Sequence, residues 1–118
     1  MSENRLKDRT KIFSLRVIKL VESLPRGITA DVIGKQIIRS GTSVGANYRA
    51  ACRAKSQADF IYKMTIVEEE ADESMFWMEL LIDSKLVDRN LLTDLMSEAN
   101  QIVAMVVSSI KTAKQNRK

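Results

Sequence analysis

Apolar side chains recur at steps of three and four through most of the chain, which is the period of a helix buried along one face. Phe13, Val17, Leu20 and Leu24 share one line and predict a first helix from about Arg9 to Ser23, stopped by Leu24-Pro25-Arg26-Gly27. A second helix is predicted from Thr29 as N-cap, with Ile28 and Ile33 as a hydrophobic staple, to about Ala54. Ser56-Gln57-Ala58-Asp59 resembles a capping box with Asp in place of Glu, and opens a third helix that runs to about Ser84. The fourth follows Asp88 as N-cap, with Val87 and Leu92 in staple positions, and extends to about Lys114. The single proline and all four glycines lie between positions 25 and 45, so the 73 residues from 46 to 118 offer no strand-and-turn punctuation. Three short connections between long helices predict an all-α fold, an antiparallel up-down-up-down four-helix bundle. It forms one domain over residues 1–118, with polar ends near 1–8 and 115–118 expected to fray.

At 118 residues and 45% hydrophobic content the chain can build a core without metal or disulfide staples. Cys52 has no partner cysteine and reads as a small buried hydrophobe of a reducing compartment. The polar start Met1-Ser2-Glu3-Asn4-Arg5 lacks the apolar stretch of a signal peptide, and the longest apolar run, Ile102 to Val107, is too short for a bilayer. The expected location is the cytoplasm. Formal charge is +4, but it is segregated: residues 1–63 hold 13 Lys/Arg and 5 Asp/Glu, residues 64–110 hold 2 and 10. Such halves either neutralise one another within or between subunits, or leave the basic segment to a polyanion.

Three lines along the second helix carry the information. Ile33, Ile37, Ser40, Val44, Asn47 and Ala51 point to the core although Ser40 and Asn47 are polar. Beside them run Gly34, Ile38, Gly41, Gly45, Tyr48 and Cys52. Each interior glycine costs about 1 kcal/mol against alanine, so Gly41 and Gly45 need a reason. Either another helix approaches closely, or the helix breaks near Ser40-Gly41-Thr42-Ser43; the absence of proline favours approach. The third line, Lys35, Arg39, Thr42, Ala46, Arg49 and Arg53, is basic at four of six positions. It is a solvated face or, with Lys55 and Lys63, a ridge for nucleic-acid phosphates. No aromatic residue interleaves it as a stacking platform.

The third helix carries Glu68-Glu69-Glu70, Asp72, Glu73 and Glu79. Bundle di-metal sites use Glu-x-x-His, and the chain has no histidine, which also removes His-based bases and triads. No metal, cofactor or enzymatic activity is expected. Glu70 and Glu73 share a line with Ile66, Trp77 and Leu80 and need partners such as Arg39, Ser40 or Asn47. From Met75 to Ile82 every residue but Glu79 is apolar, a surplus that suggests a subunit interface at Met75, Phe76, Trp77 and Leu80.

The segment Arg39-Ser40-Gly41-Thr42-Ser43-Val44-Gly45-Ala46-Asn47-Tyr48-Arg49 resembles the signature of the 23S rRNA intervening-sequence proteins, also called the "four helix bundle protein" family. The similarity continues through Ala51, Arg53-Ala54, Ser56, Asp59-Phe60-Ile61-Tyr62-Lys63, Glu70-Ala71-Asp72-Glu73, Trp77 and Leu80-Leu81, and includes Leu24-Pro25. It departs at Ala50, where relatives often carry Glu. The resemblance implies an up-down four-helix subunit, a homopentamer, and a gene often found within an insert of the large ribosomal RNA gene, without established enzymatic activity. It extends to the accessory proteins of diversity-generating retroelements, which implies basic pentamers that bind nucleic acid and a reverse transcriptase. The leading expectation is a non-enzymatic nucleic-acid-associated protein, with RNA favoured over DNA by that genomic context. The alternative is an oligomeric scaffold whose basic row serves a protein partner.

Overall fold

The computed structural model describes the backbone of residues 2–116 and the side chains of residues 5–116. Four helices follow one another, α1 (Ser2–Glu22), α2 (Ile28–Cys52), α3 (Gln57–Asp83) and α4 (Arg89–Asn116). They pack α1 on α2, α2 on α3, α3 on α4 and α4 back on α1, with α1 and α3 on one diagonal and α2 and α4 on the other. The result is an up-down-up-down bundle 51 Å long and about 20 Å across. Among the described residues no helix is long and apolar enough to cross a membrane.

Each inner stripe keeps the three-four spacing that lets neighbouring helices interdigitate at small crossing angles. Phe13 and Val17, Ile37 and Val44, Met64, Val67, Ala71, Met78 and Leu81, then Leu92, Ala99, Ile102 and Val106 are all fully or almost fully buried. Ser40 interrupts this apolar lining, but its hydroxyl meets that of Ser74 at 2.9 Å, and Ser74 donates to the Glu70 carbonyl. Among the described residues no buried side-chain nitrogen or oxygen lacks a partner, so the polar pair carries no desolvation debt.

The glycines resolve as close approach. Helix α2 runs unbroken through them. A Cβ on Gly41 would lie 2.9 Å from both γ-methyls of Val17, one on Gly45 3.3 Å from the Thr10 carbonyl oxygen, and one on Gly34 3.1 Å from Val21 Cγ1. Helix α1 therefore lies directly on the backbone of α2, and Ser14 Oγ donates to the Gly41 carbonyl across that contact. The seam between α1 and α4 is looser. Arg9 spans it, with its guanidinium gripping both Glu98 carboxylate oxygens (2.9 and 2.8 Å), Gln101 and the Met105 sulfur. Grooves of about 730 and 530 Å³ open on either side of this clasp.

The ends differ from expectation in instructive ways. Helix α1 is helical from Ser2 rather than from about Arg9, and Leu6 is buried, because 3 and 7 residues before Phe13 the inner face still finds Thr10 and Leu6 to bury. At the C-terminus, Gln115 and Asn116 are still helical, and Arg117 and Lys118 lie outside the described residues. The α2 cap is Gly27, with φ 150°, in place of Thr29; its carbonyl accepts from Asp31 N–H, and Ile28 is exposed, so no staple forms. Glycine adopts that backbone far more freely than other residues, and the helix is capped two residues earlier for it.

Helix α3 begins as expected. Ser56 Oγ accepts from Asp59 N–H at 3.0 Å, and Asp59 returns the contact one residue further out, accepting from Lys55 N–H at 3.1 Å. Its end is a Schellman turn: Leu86 N–H reaches the Leu81 carbonyl and Lys85 N–H that of Ile82, with Lys85 at φ 66°. No glycine marks this left-handed position.

Three stability outcomes follow from these contacts. Gly41→Val should lose about 1–3 kcal/mol in denaturant unfolding, because Val17 is stiff at χ1 and backs onto the core. Lys85→Gly should gain about 1 kcal/mol by relieving a side chain held in the left-handed region. The Asp59 carboxyl lies below its ordinary pKa, chiefly through the Lys55 N–H and then through Lys63. Folding thus favours the ionised form, a contribution fully present above about pH 4 and lost as pH falls through the depressed value. Asp59→Asn should therefore flatten the acid limb of the stability–pH curve, measured by thermal melts.

Candidate nucleic-acid interface

The basic line of α2 does not stay whole in three dimensions. Arg39 is drawn sideways onto α3, where its guanidinium meets Glu70 at 3.3 Å and pairs with Glu73, while Gln36 accepts from its Nε. The same Glu73 carboxylate accepts from Trp77 Nε1 at 3.0 Å, so one network ties α2 to α3 through Arg39, Glu70, Glu73 and Trp77. Of the three partners proposed for these carboxylates, Arg39 is the one used. Ser40 turns inward to Ser74, and Asn47 donates to the Ser43 carbonyl of its own helix. Lys63 is likewise engaged, 3.0 Å from Asp59 one turn away. These two members of the predicted ridge are structural cations.

Lys35, Arg49, Arg53 and Lys55 are exposed, and among the described residues none of their side chains forms an ion pair. With Arg39 withdrawn, Lys35 stands about 21 Å from Arg49 along the axis. The ridge thus reduces to a group at one end, Arg49 and Arg53 closing α2 and Lys55 in the turn after it.

An even number of antiparallel helices brings the start of α1 and the end of α4 to that same end. Gln57 Nε2, at the start of α3, donates to the Ala113 carbonyl near the end of α4 at 3.0 Å. Leu6 of α1, Tyr48 and Cys52 of α2, Phe60 of α3 and Met105 of α4 surround one groove there. Exposed Arg5 and Lys7 of α1 and Lys111 and Lys114 of α4 therefore join Arg49, Arg53 and Lys55. Among the described side chains, the acids that stand against these seven cations are Asp8 and Asp59, the latter already bound to Lys63. The opposite end mixes both signs, Glu22, Glu79, Asp83 and Asp88 with Arg26, Lys35, Lys85 and Arg89. Reading the basic line along one helix misses the four cations on α1 and α4. The signal for them lies in topology, since up-down-up-down order stacks the basic N-terminal segment on the basic tail.

The apolar run of α3 also divides. Met75, Met78 and Leu81 face the core, so Met75 is closed to a partner. Trp77 and Leu80 are partly buried against that core, and Phe76 is half exposed, its ring edge-on to Trp77 at 5.1 Å between centroids.

The sequence profile described as "23S rRNA-intervening sequence protein" matches residues 2–108. Among solved structures, a protein of unknown function from the S23 ribosomal protein family of Bacteroides thetaiotaomicron is similar throughout, with TM-score 0.87 and 38% identity over 94% of this chain and 99% of that one. No curated protein matches the chain. A profile match over most of the length, together with a bundle that superposes end to end, means that this chain belongs to the 23S rRNA-intervening sequence protein family.

Proposed function

We propose that the protein acts without catalysis, as an oligomeric bundle in the cytoplasm that holds nucleic acid by its phosphates, with RNA the favoured polymer. The observation that carries this reading is the basic end. Arg9, Arg39 and Lys63 are taken up by carboxylates between or along helices, whereas Arg49, Arg53, Lys55 and their neighbours on α1 and α4 remain exposed. Unpaired guanidinium and ammonium groups on rigid helix ends suit phosphate contact, and the C-terminus of α2 adds its own attraction for cations placed there. Sequence readout has little support, because no aromatic residue interleaves the basic line Lys35, Arg39, Arg49 and Arg53 of α2. The preference for RNA rests on the family description, and a count of five subunits on the resemblance alone. One subunit offers few phosphate contacts; several on one strand gain through effective concentration.

The competing reading is a protein-binding scaffold, favoured by the exposed Tyr62 and Phe76 on α3. Arg49→Glu with Arg53→Glu discriminates. The parent should bind single-stranded RNA of any sequence, with affinity falling steeply with salt by a slope of about 0.7 per neutralised phosphate. The double variant should lose that binding at unchanged helicity and unchanged oligomer mass. Parental affinity in the variant would remove this end as the site, and a parent that binds no RNA at low salt would hand the function to the scaffold reading.

A further inference from the structure

Below the Arg9 clasp the seam between α1 and α4 opens into the groove of about 730 Å³, a volume within the range of about 300–1,000 Å³ that holds small organic ligands. The space exists because α4 presents short side chains there, Ala104, Ser108, Ser109 and Thr112, to the first turns of α1. All four helices supply apolar wall: Leu6 from α1, Tyr48 from α2, Phe60 from α3, Met105 and Ala113 from α4. Leu6 and Tyr48 are 3% and 4% exposed, so the groove reaches into the core instead of skirting it. None of its lining residues is charged, and its polar atoms are mainly the hydroxyls on α4. An occupant must therefore be apolar over most of its length.

The charge stands at the groove's upper edge. Arg9 is held there by Glu98 and Gln101, which take its Nε and Nη2. Its Nη1 has a different partner, the Met105 sulfur at 3.2 Å, and Met105 is itself a lining residue. A thioether is a weak acceptor, so one donor of a fixed guanidinium faces the groove with little to hold. An anionic oxygen in that place makes a charge-assisted bond instead. Arg5, exposed one turn further down the same side of α1, adds a second positive charge. The groove of about 530 Å³ above the clasp lacks this arrangement, since Asp88 is among its lining residues.

We infer that the lower groove binds a free long-chain carboxylate, its alkyl chain among Leu6, Tyr48 and Phe60 and its carboxylate on Arg9 Nη1 in place of the Met105 sulfur. The site is independent of the nucleic-acid reading, because Arg49 and Arg53 do not line it.

Isothermal titration of the full chain with octanoate, decanoate and dodecanoate, each kept dispersed as monomer, tests this. Affinity should rise about fourfold for each added methylene that enters the groove, hence about fifteenfold from decanoate to dodecanoate. Decanoate should bind more tightly than decanol. Ser109→Phe, which fills the groove, should weaken dodecanoate about tenfold or more, and Ala104→Trp, at an exposed lining position, should do the same without entering the core. Glu98→Gln should bind dodecanoate more tightly than the parent, because Arg9 then has no carboxylate of its own. Arg9→Gln with Glu98→Gln keeps the seam neutral and should lose the preference for decanoate over decanol. Arg49→Glu with Arg53→Glu should bind dodecanoate as the parent does, which separates this site from the RNA surface. Circular dichroism melts identify any variant that fails to fold. A parent that takes up no dodecanoate overturns the inference, as does an affinity that ignores chain length or survives both groove-filling substitutions. Binding to anionic phospholipid vesicles with none to dispersed carboxylate overturns it too, and so does an Arg9–Glu98 double variant that still prefers the acid.

Discussion

The contact between α1 and the glycine line of α2 sets the geometry of the whole bundle. Three side chains are missing from α2 at Gly34, Gly41 and Gly45, and the space is taken by Val21, Val17 and the backbone at Thr10. Such contacts admit one height only, because shifting α1 by a turn would bring a β-branched side chain against Ile38 or Tyr48 instead of a bare Cα. The neighbouring line of α2 carries Ser40, whose hydroxyl chooses Ser74 and so sets the height of α3. Two adjacent residues, Ser40 and Gly41, therefore place three helices relative to one another. The entropic penalty of glycine within a helix is the cost of that definition.

Electrostatics then follows from topology rather than from local sequence. Cations that cross a helix seam are neutralised there: Arg9 by Glu98 at 2.8 Å and Arg39 by Glu70 and Glu73. Cations beyond the seams accumulate at the end where α1 starts and α4 finishes. The acidic residues of α3 split in the same way, Glu70 and Glu73 serving Arg39 while Glu69 and Asp72 look outward. A positively charged segment and a negatively charged one within a single chain thus become a basic end and an acidic side.

Much of this was legible in the sequence because it depends on period and on glycine. Four helices and the inward stripes follow from spacing, the Ser56 cap from its capping-box run, and of the two readings open for Gly41 and Gly45 the close approach is the one found. The pairing of Arg39 with Glu70 and Glu73 was readable as a need of the carboxylates. What escaped depends on three-dimensional register or on weak local signals. Gly27 caps α2 through its backbone, where Thr29 offered the more obvious side chain. Lys85 takes a position usually marked by glycine. Lys63 lies on the expected ridge but finds Asp59 one turn back, and Met75 sits in an apolar run whose inward third belongs to the core. The family resemblance, carried by the run from Arg39 to Arg49, agrees with the profile match and the solved relative; it speaks to ancestry and fold and says less about which face works.

The α1–α4 seam has a mechanical consequence. Helix α1 is fastened along one edge to α2 and, on its other edge, by the Arg9 clasp between two grooves. The seam where the bundle can loosen with α2, α3 and α4 still packed is this one, since α1 and α4 touch less than any other neighbouring pair. Salt, by weakening the ion pair that spans this seam, would set how often the door swings.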